Sequence, residues 1–259
     1  MDPTVKFELK GSVAWVTLNR PEAGNALNMQ AGRDLLDAAT RCRGEHGVRA
    51  VVITGAGKAF SFGGDLAAMA MNEGRDREKY LRELTTDLHA AIEAFTRLDA
   101  PVIVAVNGTA AGGAMGLVAM ADLVIAAQGA KFTLAYAGVG LTPDCGTSYF
   151  LPRLVGQRRA MELALANRVL TAEEALEWGL VNQVVPQDEL QSRATALAEG
   201  LAAGPLAALG QAKRLMRMEA PLDEQLHAEG RTIAAQAATA EGEEGIAAFL
   251  AKRKPQFNA

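Results

Sequence analysis

Two short segments carry the residues best suited to chemistry, Phe62-Gly63-Gly64-Asp65-Leu66 and Ala111-Gly112-Gly113-Ala114-Met115-Gly116. In each, a strand-like apolar run ends and glycines precede a helix-like stretch. Glycine permits unusual φ/ψ and lets a ligand or another backbone come close. The first turn of a helix leaves backbone N–H groups unpaired. Two such groups aimed at one point would hold a developing oxyanion. The same glycines also suit tight turns where strands pack on helices, and glycine content alone does not separate the two readings.

Other chemistries lack their signatures. No G-x-G-x-x-G follows the first strand, and there is no G-x-x-x-x-G-K-[ST] or G-x-S-x-G. His46, His89 and His227 lie far apart without H-E-x-x-H spacing, so no metal site is expected. Cys42 and Cys145 are too few for a disulfide framework or a zinc site. Asp144 follows Pro143 in a glycine-flanked loop. On residue type and place alone it reads as a cap for the next helix.

The elements that must position these residues alternate between strand and helix. Val5–Lys10 and Val13–Leu18 flank Gly11-Ser12 and read as a β-hairpin. The runs 50–54, 102–106 and 123–127 are apolar and short, as buried parallel strands are. Helices are expected over 29–43 and 75–98, the second with Leu84, Leu88, Ile92 and Phe95 on one face. A loop is expected over 138–147 and mostly helix from Leu151, as 158–166, 172–178, 188–203, 206–218, 222–239 and 241–252. The organisation is an α/β core over 1–190 and a helical region over 191–259. No internal repeat is evident in the sequence.

Composition narrows the setting. The chain has 259 residues, 26 Lys+Arg against 30 Asp+Glu and 49 % hydrophobic residues, which fits a soluble globular protein. Its net charge of -4, with one short basic cluster at Lys252-Arg253-Lys254, argues against a nucleic-acid partner. Ala100 to Ala121 carries no charge and is long enough to span a bilayer. The Asn107-Gly108 turn signal and the β-branched 102–106 run point instead to strand, loop and buried helix, so no membrane partner is expected. The N-terminus shows no apolar signal segment, and a cytoplasmic location is expected.

Taken in order along nearly the whole chain, these stretches resemble the enoyl-CoA hydratase/isomerase (crotonase) superfamily. The resemblance rests on Leu18-Asn19-Arg20-Pro21 with Asn25-Ala26-Leu27-Asn28, on 60–66, and on Pro101-Val102-Ile103 with Val106-Asn107-Gly108. It extends through 111–114, Ala121-Asp122, Lys131-Phe132, Gly140-Leu141-Thr142-Pro143, 172–175, Trp178-Gly179-Leu180-Val181 and 252–255. It implies a spiral of ββα turns, a helical C-terminal region that trimerises, and a homotrimer or hexamer. It implies an acyl-CoA thioester as substrate and no separate cofactor. The Gly64 and Gly113 N–H groups would form the oxyanion hole. Ala26, Leu27, Phe62 and Leu66 would line the path of the CoA moiety, and Lys254 would approach its phosphates, in one arrangement from a neighbouring subunit.

The resemblance also bears on the reaction. Hydratases of this family hold a water between two glutamates, which in register fall at Gly116 and Tyr136, and neither is a carboxylate here. A glycine transfers no proton, and a phenol is a poor base at neutral pH. Asp144 stands where isomerases of the family, those similar to epoxyphenylacetyl-CoA isomerase and Δ3,Δ2-enoyl-CoA isomerase, carry a catalytic Asp. One such base suffices to move a double bond if the enolate is held. The expectation is therefore an acyl-CoA isomerase. A weak enoyl-CoA hydratase and a non-catalytic acyl-CoA-binding protein are the alternatives. A third is a hydrolase similar to 4-chlorobenzoyl-CoA dehalogenase, with His89, Tyr136 and Asp144 in register with its His, Trp and Asp.

Overall fold

The structure, a computed structural model, describes residues 2–257. Its six-stranded sheet is built from β1 (Val5–Lys10), β2 (Val13–Leu18), β3 (Ala50–Gly55), β4 (Val102–Val106), β6 (Leu123–Ala127) and β9 (Gln183–Val185), paired in that order. The β1–β2 pair is antiparallel, joined through Gly11 at φ +59°, and all later pairs are parallel. Parallel strands need both faces covered, which is why β4 and β6 are apolar at every position. Ala14, Val16, Val51, Ile53 and Val104 point to one face. On it lie α1 (Met29–Gly44), α3 (Gly74–Thr96) and α4 (Ala114–Met120). Val13, Trp15, Val52, Ile103 and Ile125 point to the other, where Leu190, Ala194, Ala198 and Ala202 of α8 (Leu190–Ala202) pack against them.

A second, three-stranded sheet joins β5 (Ala110–Ala111), β7 (Lys131–Thr133) and β8 (Val169–Thr171). Two isolated parallel bridges, Leu27 to Gly64 and Ser61 to Ala110, continue its layer. The chain therefore repeats one move: a long strand into the large sheet, a short extended piece into the small one, then a helix. β2, Leu27 and α1 make one turn, and β3, Ser61–Gly64 and the pair α2 (Leu66–Ala70) and α3 make the next. β4, β5 and α4 make the third. This is the expected spiral. The repeat hides in the sequence because its second strand is only one or two residues long.

The charge-free run from Ala100 to Ala121 becomes β4, β5 and the wholly buried α4. Among the described residues no helix is long and apolar enough to cross a membrane. α5 (Thr147–Val155) begins four residues before the helical stretch read from the sequence and carries Pro152 inside it. The remaining helices are α6 (Gln157–Leu165), α7 (Ala172–Glu177), α9 (Leu206–Arg217), α10 (Leu222–Ala237) and α11 (Ala240–Leu250). α9 is tied to the core by Lys213 and Arg217, which both pair with Asp122, at 2.6 and 2.8 Å. α10 and α11 leave Leu222, Ile233, Phe249 and Leu250 exposed.

Candidate active site

The two glycine segments meet backbone to backbone at the small sheet. Gly63 has φ +82°, and a Cβ there would stand 2.5 Å from the Ala111 carbonyl oxygen and 3.0 Å from the Gly113 nitrogen. Only glycine fits that approach. The Gly63 carbonyl accepts from the Leu27 N–H at 2.7 Å, and the Leu27 carbonyl accepts from the Asp65 N–H at 3.0 Å. These bonds leave the intervening Gly64 N–H turned the other way. Among the described residues, no protein group accepts from the N–H of Gly64 or Gly113.

A polar lattice holds the first loop. The buried Ser61 hydroxyl donates to the Asn25 carbonyl at 2.8 Å and accepts from the Gly63 N–H at 3.1 Å. Asn25, itself at φ +54°, donates from its amide to the Ala56 and Ala59 carbonyls. The Arg20 guanidinium binds the Ala26 carbonyl and the Asp65 carboxylate at 2.6 and 2.8 Å. Burial disfavours the charged form of Asp65, but the Ala68 N–H and Arg20 outweigh it and hold its carboxyl below the ordinary range. Arg20, Asn25, Ser61 and Asp65 entered the sequence reading only as parts of motifs. Polar residues flanked by turn and apolar positions were the available signal.

Both glycine segments open on a cavity of about 410 Å³, whose lining includes Leu27, Phe62, Gly64, Leu66, Gly113, Tyr136 and Asp144. Leu81, Leu84, Thr85 and Leu88 of α3 supply a largely apolar wall. The Asp144 carboxylate faces Gly113, with Oδ1 3.5 Å from where a Cβ on that glycine would lie. The same oxygen accepts a short hydrogen bond from the Tyr136 hydroxyl. Burial, then the Asp144 charge, pushes the Tyr136 phenol well above its ordinary pKa, so it remains a donor at neutral pH. The Asp144 side chain does not cap α5, whose N-cap is Gly146 with no side-chain cap. It is the Asp144 carbonyl that accepts, from the Thr147 N–H and hydroxyl.

The Cys145 backbone fills the space beside Gly116, where the resemblance would put the family's first glutamate. A Cβ on Gly116 would sit 2.1 Å from the Cys145 carbonyl oxygen and 2.7 Å from its Cβ. Burial, then Asp144, raises the pKa of the Cys145 thiol, which keeps it protonated.

Three expected site residues stand elsewhere. His89 lies on an exposed part of α3 and lines a separate hollow of about 540 Å³ with Cys145, Gly146 and Tyr149. Cys145 lines both hollows, and the His89 Nε2 accepts from the Cys145 N–H at 3.1 Å. Ala26 is buried and does not line the Asp144 cavity, and its backbone carbonyl accepts from Arg20. Lys254 lies on the exposed tail and does not line this cavity. His89, Asp144 and Cys145 do bring potential ligand atoms within 4.8 Å of one another, a cluster unforeseen from the spacing of the histidines. A protonated thiol and an imidazole nitrogen already accepting an N–H are poor metal donors.

Comparison with known proteins agrees with this architecture. The family described as Enoyl-CoA hydratase/isomerase matches residues 8–259. A Rhodobacter capsulatus protein named "Probable enoyl-CoA hydratase" is 41 % identical over 98 % of this chain and 97 % of its own length. The 1,2-epoxyphenylacetyl-CoA isomerase of Escherichia coli K12 is 39 % identical over 95 % of this chain and 94 % of its own. The 4-chlorobenzoyl coenzyme A dehalogenase-2 of Arthrobacter is 37 % identical over 79 % and 74 %. The crystal structure of an enoyl-CoA hydratase from Polaromonas sp. JS666 superposes with a TM-score of 0.93 at 34 % identity, covering 97 % of this chain and 98 % of that one. With the spiral, the paired glycine loops and a match along nearly its whole length, the chain belongs to the enoyl-CoA hydratase/isomerase family.

Proposed function

We propose that the chain is an acyl-CoA isomerase that shifts a double bond through a thioester enolate. The observation that carries this reading is one carboxylate, Asp144, beside Gly113, while the other acidic residue lining the cavity, Glu78, is exposed on α3 and paired with Arg82. Asp144 faces Gly113 across one cavity, while the place of a second carboxylate at Gly116 is filled by the Cys145 backbone. The Gly64 and Gly113 N–H groups hold the thioester oxygen as negative charge builds on it, and each such donor contributes about 3–4 kcal/mol. Asp144 removes a proton from C2 of a 3-enoyl thioester. The electron pair moves through C2 into the carbonyl as the enolate forms. The resulting carboxylic acid returns the proton to C4, the double bond settles between C2 and C3, and Asp144 is again a carboxylate. The Tyr136 hydroxyl holds one Asp144 oxygen and leaves the other for the substrate. No cofactor beyond the thioester enters these steps. Leu27, Phe62 and Leu66 line the approach of the CoA moiety. The uncovered apolar residues of α10 and α11 support the expected homotrimer or hexamer.

The 39 % identity to an isomerase that acts on a CoA thioester supports this reading. A second reading, nucleophilic attack by Asp144 on a halogenated aryl thioester, has support from the dehalogenase relative and from His89 near Asp144. Against it, the His89 Nε2 is occupied by a backbone N–H. Product analysis with a 3-enoyl-CoA, a 2-enoyl-CoA and a halobenzoyl-CoA separates isomerase, hydratase and dehalogenase. Binding without turnover of any of them marks a non-catalytic protein. The residue-level test is Asp144→Asn, which should abolish isomerisation while acyl-CoA still binds. Turnover near that of the wild type rejects the assignment.

A further inference from the structure

The peptide between Asp144 and Cys145 is held on both edges. Its carbonyl accepts from the Thr147 N–H at 3.0 Å and from the Thr147 hydroxyl at 2.8 Å. Its N–H donates to the His89 Nε2 at 3.1 Å. The backbone here is strained: Cys145 has φ +52° and Gly146 follows at φ +74°. A non-glycine residue stays in the left-handed region only where its surroundings fix it. On the far side of this peptide the Cys145 backbone rests on Gly116. His89 thus supplies the acceptor on one edge of a strained segment whose first residue is Asp144.

An imidazole that accepts at Nε2 is neutral and carries its proton on Nδ1. Its accepting nitrogen is then not free to take a proton from water. The ring also lies outside the cavity that Asp144 lines, in the neighbouring hollow. A His89 nitrogen lies within 4.8 Å of an Asp144 carboxylate oxygen, but the hydrogen bond it makes in this segment is to the backbone.

We infer that His89 is a positioning residue: as a neutral hydrogen-bond acceptor it fixes the Asp144–Cys145 peptide and so keeps the Asp144 carboxylate against Gly113. This rests on the reading of Asp144 as the proton-transfer group. It gives the second hollow a structural meaning, as the side from which α3 braces the catalytic loop.

The test compares His89→Gln, His89→Asn and His89→Leu with Asp144→Asn, using a 3-enoyl-CoA. The Gln amide oxygen reaches to about where Nε2 stands; the Asn amide is a methylene short, and Leu offers no acceptor. His89→Gln should keep kcat within about 3-fold of the wild type. His89→Asn and His89→Leu should lower it about 10- to 100-fold, the scale of a misplacement near 1 Å, with KM changed less than about 2-fold. Should those variants fail to fold by circular dichroism, Thr147→Val removes one of the two hydrogen bonds on the opposite edge of the same peptide and should lower kcat in the same direction. Wild-type kcat in His89→Leu, or in Thr147→Val where that variant stands in, overturns the inference. So does a His89→Gln enzyme as impaired as His89→Leu, which would show the imidazole itself taking part. Asp144→Asn keeps the two ideas apart. If it is inactive and His89→Leu is normal, only the role of His89 falls. If it is active, the isomerase reading falls first.

Discussion

The carbonyl oxygen of Cys145 stands 2.1 Å from the point where Gly116 would carry a Cβ. The obstacle is backbone, so it cannot rotate aside as a flexible side chain would. Position 116 lies in the fully buried α4, where two helical turns are packed on every side. Overpacking of such a site typically costs about 1–3 kcal/mol. Gly116→Ala should therefore lower the unfolding free energy by that amount, read as a lower urea midpoint, despite the better helix propensity of alanine. Gly116→Glu should be worse and should gain no hydratase activity, because the carboxylate cannot enter without driving the Asp144 loop out of place. A Gly116→Glu protein with wild-type stability that adds water to a 2-enoyl-CoA would contradict this account of the missing glutamate.

Tyr136, where the resemblance would put the family's second glutamate, gives its phenol hydrogen to Asp144. A hydrogen bond to a charged group contributes about 1.5–3 kcal/mol, which corresponds to about 10- to 100-fold in a rate it supports. Tyr136→Phe keeps the ring in its buried place and removes only that bond. The expected result is a fall in kcat of this size with KM for the acyl-CoA little changed, read by steady-state kinetics. An unchanged kcat would mean that the carboxylate is held sufficiently by its backbone alone.

Much of this arrangement could be read before the coordinates, and the part that could not has identifiable causes. Val102–Val106 and Leu123–Ala127 were legible because a strand covered on both faces must be apolar throughout. Val169–Thr171 and Gln183–Val185 were not, since three residues show no period and each exists by pairing with a distant strand, β7 or β6. The start of α5 was hidden by Pro152, which ordinarily argues against a helix interior. In the site, the glycines announced themselves by type, but not the close packing of Gly63 on the Ala111–Gly113 backbone, where a Cβ would stand 3.0 Å from the Gly113 nitrogen. His89 follows Leu88 on a helix whose period was clear. The loop its ring meets, and hence whether it touches the cavity, is set by tertiary packing alone.

Cys42 offers a test of the core away from the site. It lies buried on α1, and burial, followed by the nearby Glu45 charge, pushes its thiol up to about 12 from 9.0. The folded protein thus holds this proton more tightly than the unfolded chain does. The stabilisation is complete below the unfolded value of 9.0 and is lost as pH rises from there towards 12. Over that window the group should contribute a decline of about 1.4 kcal/mol per pH unit. The Cys145 thiol and the Tyr136 phenol are raised as well, so they add to the alkaline slope of the whole protein. Comparison with Cys42→Ala isolates the share due to Cys42. Urea unfolding in the presence of reductant, at pH 8, 9, 10 and 11, should show a steeper loss above pH 9 in the wild type than in the variant. Equal slopes would mean that the Cys42 thiol ionises as freely in the folded protein as in the unfolded chain, and that α1 opens to water far more readily than its packing against the sheet implies.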